Sequence, residues 1–324
     1  SRLLTRLMAE SSRIASKMIC DCGRPIAHLF GEKKVDADKV AIDDLTRQVK
    51  GQSGDLATIT RARIDQLKAE VSATKRIKQS LTSSRGELLK TLEAAVNASS
   101  PLSLLSLDRN QLMSFILDAG LGLAVEEFVD SADRIEDAAA KAVGAIVPNF
   151  GFDPIQGEIN QIKISVAQSV FDDVIIPDTL GAVRGSLQAM AVQVPVNQAM
   201  SALSQRMQSA TGRQLTEVRT KLAQYGRDVT AKAAESAGLD MFLYTGPEDG
   251  ITRAFCRPLV SKVVSSAQMK KLNNGQGLPV VTSGGGYNCR HSWSPISKGF
   301  LIASKLPRAT TKDIQKANDG GRGK

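Results

Sequence analysis

Aromatic side chains are scarce: Phe, Trp and Tyr make up only 4% of the 324 residues. A hydrophobic content of 42% still provides for one large or two ordinary domains, with cores built mainly from aliphatic residues and alanine. No apolar run reaches about 18 residues, so no membrane-spanning helix is expected. An apolar block of about 7–15 residues, as in a secretory signal, is also missing. Two histidines and four cysteines leave little material for an elaborate catalytic or metal centre. Charged residues, at 23%, are too few for a charge-dominated disordered chain. Acidic residues are rare in one region. From Met241 onward there are 13 Lys and Arg against 4 Asp and Glu, whereas the first 240 residues carry 29 of each sign. The whole net charge of +9 therefore lies in the last quarter, which points to an acidic or phosphate-rich partner there.

What the chain has in quantity is helical periodicity. Ser1 to Met18 alternates Leu3, Leu4, Leu7, Ile14 and Met18 with Arg2, Arg6, Arg13 and Lys17. Such an acid-poor amphipathic start suits a transit peptide, a membrane-surface helix, or most simply a helix packing on its own protein. From Asp55 to Val96, Leu67, Val71, Thr74, Leu81, Leu88, Leu92 and Val96 recur at helical steps, predicting one long helix or a hairpin broken near Ser83–Gly86. Ser100-Pro101 and Asp108 are start signals for two further helices. A helix over Glu126–Val147 stops at Pro148, and Pro148 to Pro154 is a candidate boundary. Two more stripes, Ile159 to Val174 and Leu180 to Val194, are each stopped by a proline, Pro177 and Pro195. A polar helix runs from Asn197 to Ser236, and Gly238 closes it. The expected fold class is mainly α: an extended scaffold of long amphipathic helices over residues 1–238, then a small α+β module. That module spans 239–306, where Gly246-Pro247, Asn274-Gly275 and Ser283 to Gly286 mark turns among short apolar runs. Residues 307–324, rich in Lys, Thr, Asn and Gly, are expected as a basic flexible tail.

The densest chemistry lies in two strings, Tyr244 to Arg257 and Ser283 to Trp293. Each sets a cysteine beside an arginine. Cys256, Cys289 and His291 offer three zinc-type ligands, to be completed by an outside ligand such as Cys20, Cys22 or His28, although the close ligand pairs of zinc domains are absent and no cofactor is expected. A Cys256–Cys289 disulfide and two reduced buried thiols are the alternatives. A nucleophilic Cys289–His291 pair lacks an orienting carboxylate and an oxyanion hole, so no enzymatic activity is expected. Cys20, Cys22 and His28 form a second, weaker thiol–imidazole grouping. The Gly284–Gly286 run can present N–H groups to phosphate, but no Lys-Ser/Thr follows it as in a P-loop.

Taken in order, Thr252-Arg253-Ala-Phe-Cys256, a basic glycine-containing middle, and Asn288-Cys289-Arg290-His291 with Trp293 close behind resemble a known signature. It is the C-terminal signature of the Mu F-like minor head, or head morphogenesis, proteins of tailed bacteriophages. The resemblance covers about 55 residues. One departure is Leu259, where many members carry the second cysteine of a C-x-x-C pair. The resemblance implies a minor capsid protein at or near the portal vertex of the virion, made in the host bacterial cytoplasm. It would aid head assembly, DNA packaging or DNA ejection. Implied partners are portal or other head–tail proteins, in an oligomeric arrangement, and packaged double-stranded DNA, without membrane contact. An effector delivered with the DNA and a membrane-interacting ejection protein are the alternatives. Lys262, Lys270, Lys271, Lys298, Lys305, Arg308, Lys312 and Lys316 are expected to form a solvated basic surface facing DNA phosphates or an acidic virion surface.

Overall fold

A computed structural model describes residues 36–52 and 54–322. The amphipathic start at Ser1–Met18 and the Cys20, Cys22 and His28 grouping lie outside the described residues. The fold is mainly α with a small α+β part near the C-terminus. Helices α1 (Ala37–Lys50), α2 (Gly54–Ala98), α3 (Pro101–Leu105), α4 (Arg109–Ile116), α5 (Gly122–Gly144), α6 (Gln156–Val170), α7 (Ile176–Ala191) and α8 (Val196–Ser236) come first. Strands β1 (Met241–Thr245) and β2 (Val263–Ser265) follow, then short helices α9 (Ser266–Met269) and α10 (Val280–Ser283). Strand β3 (Ser292–Ile296) and helices α11 (Lys298–Ser304) and α12 (Thr311–Arg322) complete the described chain. Among the described residues, no helix is long and apolar enough to cross a membrane.

The chain forms two compact units. The helical unit comprises residues 68–140 and 151–232, and the composite unit gathers the rest, including the whole sheet. The division therefore does not fall at residue 238: the C-terminal module shares its unit with residues up to 67 and with 141–150.

In the helical unit the aliphatic stripes close on one another. Leu81, Leu88, Leu92, Ile135, Ile159, Val183, Leu187, Leu203, Val218 and Leu222 are buried, and Phe128 meets Phe171 edge to face at 5.8 Å. Helix α2 runs unbroken through Ser83–Gly86. The Ser84 hydroxyl donates back to Ser80 O at 2.8 Å, so this serine opens no turn. Asp108 caps α4 in a reciprocal box with Gln111. Pro177 does not separate two helices as expected. A π turn at Phe171–Ile175 widens the backbone just before it, and the proline sits in the first turn of α7. A widened turn moves away the carbonyl with which the ring would collide.

In the composite unit, β1 is the central strand of the order β2-β1-β3, antiparallel to both neighbours. Both of its faces are covered. Phe242 and Tyr244 join Phe255, Cys256, Leu259, Trp293, Ile314 and Ala317 in one core. Leu243 and Met241 face a second core with Ile59, Val263, Ile296 and Leu301, flanked by Leu56 and Ile146. The start of α2 thus covers the sheet's second face, which is why the module does not end at 239. Val280 and Val281 belong to the helical turn α10 rather than to a strand.

The tail is corrected too. Residues 311–322 are α12, opened by a reciprocal cap in which Asp313 N–H donates to Thr310 Oγ1 and Thr310 N–H to Asp313 Oδ2. Ile314 and Ala317 are buried. Gly320 explains the misreading. A Cβ at that position would lie 2.6 Å from the Ala254 backbone, so this glycine is a packing surface rather than a source of mobility.

Candidate metal centre

The two cysteine strings meet in the first core of the composite unit. Cys256 lies in the turn that follows Arg253, and Cys289 precedes β3, which brings His291 beside β1. Cys256 Sγ and Cys289 Sγ stand 3.9 Å apart. That is well beyond the ~2.05 Å of a disulfide, so the two are not bridged, and both are buried. Cys289 Sγ and His291 Nδ1 are 3.8 Å apart. The ligand atoms of Cys256, Cys289 and His291 all lie within 4.8 Å of one another.

Hydrogen bonds orient each donor. His291 Nε2 lies 3.0 Å from Pro247 O. A carbonyl only accepts, so the proton belongs on Nε2 and the lone pair of Nδ1 faces the sulphurs. The Gly285 N–H donates to Cys289 Sγ at 3.1 Å. A Cβ at Gly285 would lie 2.5 Å from Cys256 Sγ, and one at Gly246 2.3 Å from His291 Cδ2. Both turn glycines are therefore required where the backbone backs onto the donors. The hydrogen bond with Cys289, together with burial, pushes the Cys256 thiol well above its ordinary range. It stays protonated unless a cation displaces the proton.

Four of the remaining motif residues, Thr252, Arg253, Arg290 and Trp293, hold the segments around this arrangement. Arg253 donates to Gly285 O at 2.6 Å and to Tyr287 O at 2.5 Å, holding the glycine turn closed. Arg290 forms a two-pronged pair with Asp249, at 2.6 and 2.8 Å, and reaches Ala37 O at 3.0 Å. Its own carbonyl accepts from Arg63 at 2.7 Å. Burial raises the Asp249 carboxyl, but the hydrogen bonds and charge of Arg290 outweigh that and hold it below the usual carboxylate range. The Thr252 hydroxyl lies 2.9 Å from Pro247 O and accepts from Asp249 N–H at 3.0 Å. Trp293 Nε1 donates to Val280 O at 3.0 Å. Asn288 takes a left-handed conformation, φ 54°, and is exposed. Helix α1 braces the same turn: Glu248 N–H donates to Asp44 Oδ2 at 2.9 Å.

Three sulphur and nitrogen donors at these separations fit a zinc-type ion. With Zn–S of about 2.3 Å and Zn–N of about 2.0–2.1 Å, a tetrahedron has S···S edges of about 3.8 Å and S···N edges of about 3.6 Å. The observed 3.9 and 3.8 Å are close to both. Sequence reasoning misses Tyr244, Asp249 and the two glycines as parts of this centre. Tyr244 carries a weak signal, since it follows Phe242 by two positions on one strand face; Asp249 is hidden inside a turn string.

The basic residues divide. Lys262 is half-buried and paired with Asp313 at 2.7 Å, so it is committed within the unit and does not join a free basic surface. Lys270, Lys271, Lys298, Lys305, Arg308, Lys312 and Lys316 are exposed.

No protein-family model, curated protein or solved structure matches the chain.

Proposed function

We propose that the chain is a non-enzymatic structural protein of a tailed-phage virion, with a composite unit pinned by a zinc-type metal at Cys256, Cys289 and His291. One observation carries this reading. Two motif strings whose cysteines are 33 positions apart converge on one buried cluster, and their arginines are spent on backbone carbonyls and Asp249. A buried set of such donors serves to staple a fold. The resemblance to Mu F-like minor head proteins supplies the setting: docking at or near the portal vertex, with portal or other head–tail proteins as partners. The seven exposed basic side chains suit phosphate contact with packaged double-stranded DNA. The test is mass spectrometry of purified particles before and after DNA release, with metal analysis of the recombinant chain. Protein in the particles and one equivalent of metal are expected. Absence from both particle samples rejects the virion reading, and metal-free, chelator-indifferent protein rejects the staple.

A further inference from the structure

The three donors leave a tetrahedron one short, and the position where the resemblance would put the missing ligand does not provide it. Leu259 is fully buried in the apolar core. A leucine there packs and cannot coordinate. A buried oxygen lies on the strand beside it. Tyr244 is buried on β1, its ring stacked on His291 at 5.2 Å and tilted against Trp293 at 4.2 Å. These two contacts fix where its hydroxyl lies. Tyr244 Oη stands 3.4 Å from Cys256 Sγ and 3.7 Å from Cys289 Sγ.

We propose that Tyr244 Oη is the fourth protein donor of the metal site, closing a set of two thiolates, one imidazole and one phenol oxygen; this rests on the metal reading above. The geometry that carries it is the agreement of four of the six donor–donor edges with a tetrahedron. Oxygen donors bind zinc at about 2.0–2.2 Å, which makes an S···O edge about 3.6 Å. The two Tyr244 separations bracket that value, and the S···S and S···N edges already match. A hydroxyl that only donates to a sulphur needs to approach one thiol. Tyr244 Oη sits near both, at the corner that completes the figure. The backbone closes the other approaches: Gly285 backs both sulphurs, Gly246 backs the imidazole, and Pro247 O holds the far ring nitrogen. Among the described residues the four donors thereby make a site of the closed, structural type.

The experiment uses the full chain, reduced and stripped of metal, titrated with Co2+ as a spectroscopic stand-in for zinc. Wild type is expected to bind one Co2+ with two-thiolate charge-transfer bands and an intense four-coordinate d–d envelope. Added azide should leave that spectrum unchanged, because all four positions are protein donors. Tyr244→Phe, with circular dichroism checked against wild type, should keep the thiolate bands, change the d–d envelope and respond to azide. Its zinc affinity should fall about 10-fold or more. An azide response in wild type, or a Tyr244→Phe spectrum and affinity equal to wild type, overturns the assignment of Tyr244 and leaves the metal site standing. The wild-type azide arm decides even where Tyr244→Phe does not fold. A wild-type chain that gives no Co2+ spectrum, as Cys256→Ser is expected to do, rejects the metal reading itself and the fourth donor with it.

Discussion

The helical unit and the composite unit are stabilised by different means. The first is a set of interchangeable parts: aliphatic stripes, an aromatic pair, and surface ion networks such as Lys163 with Asp133 at 2.5 Å and Glu136 at 3.0 Å. Glu136 also accepts from the buried Tyr225 at 2.9 Å. The second is held by particular atoms, with arginine forks on named carbonyls and turn glycines pressed against sulphur and imidazole. A core of the first kind tolerates exchange of one aliphatic side chain for another at small cost. A structure of the second kind does not tolerate even Lys for Arg, because the planar fork is what fits.

The largest expected effect breaks that contrast at Arg290. Arg290→Ala leaves Asp249, whose side chain is 8% exposed, buried without its partner, at a cost of about 3–5 kcal/mol. Arg290→Lys should recover less than half of it. Denaturant unfolding read by Trp293, the single tryptophan of the chain, reports on the composite unit. Equal stability of wild type and Arg290→Ala would show that the fork carries no weight.

A middle-sized effect of opposite sign belongs to the helical unit. Burial raises the Asp228 carboxyl to about 6, against opposing pulls from Arg227 and Lys221. Its folded pKa therefore lies above its unfolded value of 3.8. Between those two values the folded state holds more protons, so this group makes stability fall as pH rises from about 4 to 6. Asp228→Asn should raise stability at neutral pH by about 1–3 kcal/mol and flatten that part of the profile. Thermal unfolding followed by circular dichroism from pH 4 to 7 checks both; a loss of stability at pH 7 contradicts the burial cause.

The smallest effect sharpens the comparison, because its pH slope is reversed. The hydrogen bond from Lys262 and the cap at Thr310 lower Asp313 to about 2. That stabilisation is complete above pH ~4 and is lost as pH falls through about 2. The pair lies near the surface, so Asp313→Asn should cost below about 1 kcal/mol at pH 7. Unfolding of the two proteins read by Trp293 should converge as pH drops toward 2. A difference unchanged across that range would remove the ion pair as its source.

The helical unit was largely legible because a 3.6-residue period is written locally. Leu81, Leu88 and Leu92 announce α2 without reference to anything distant. Asp108 and Ser100 announce their caps for the same reason. The composite unit was legible in its residues but not in its boundaries. Cys256, Cys289 and His291 could be singled out by type, and the small module allowed them one core to share. That Ile59 and Ile146 cover the far face of β1 depends on contacts between segments far apart in the chain, for which sequence carries no local sign. Lys262 reads as solvent-facing because its partner Asp313 lies in a segment with the composition of a tail. The glycines of that segment mislead because composition does not distinguish a glycine that moves from one that lets two backbones touch.

The composite unit is assembled from three stretches of chain, with the helical unit inserted between them. During synthesis α1 and the first turns of α2 leave the ribosome long before β1 exists. Ile59 has no sheet to cover until Met241 and the strands after it have emerged. The helical unit, its sequence complete by residue 232, can close during that wait, whereas the composite unit must join its earliest and latest parts. Cys256, Cys289 and His291 lie in the latest of those three stretches, so the proposed metal staple would form only after the helical unit has left the ribosome.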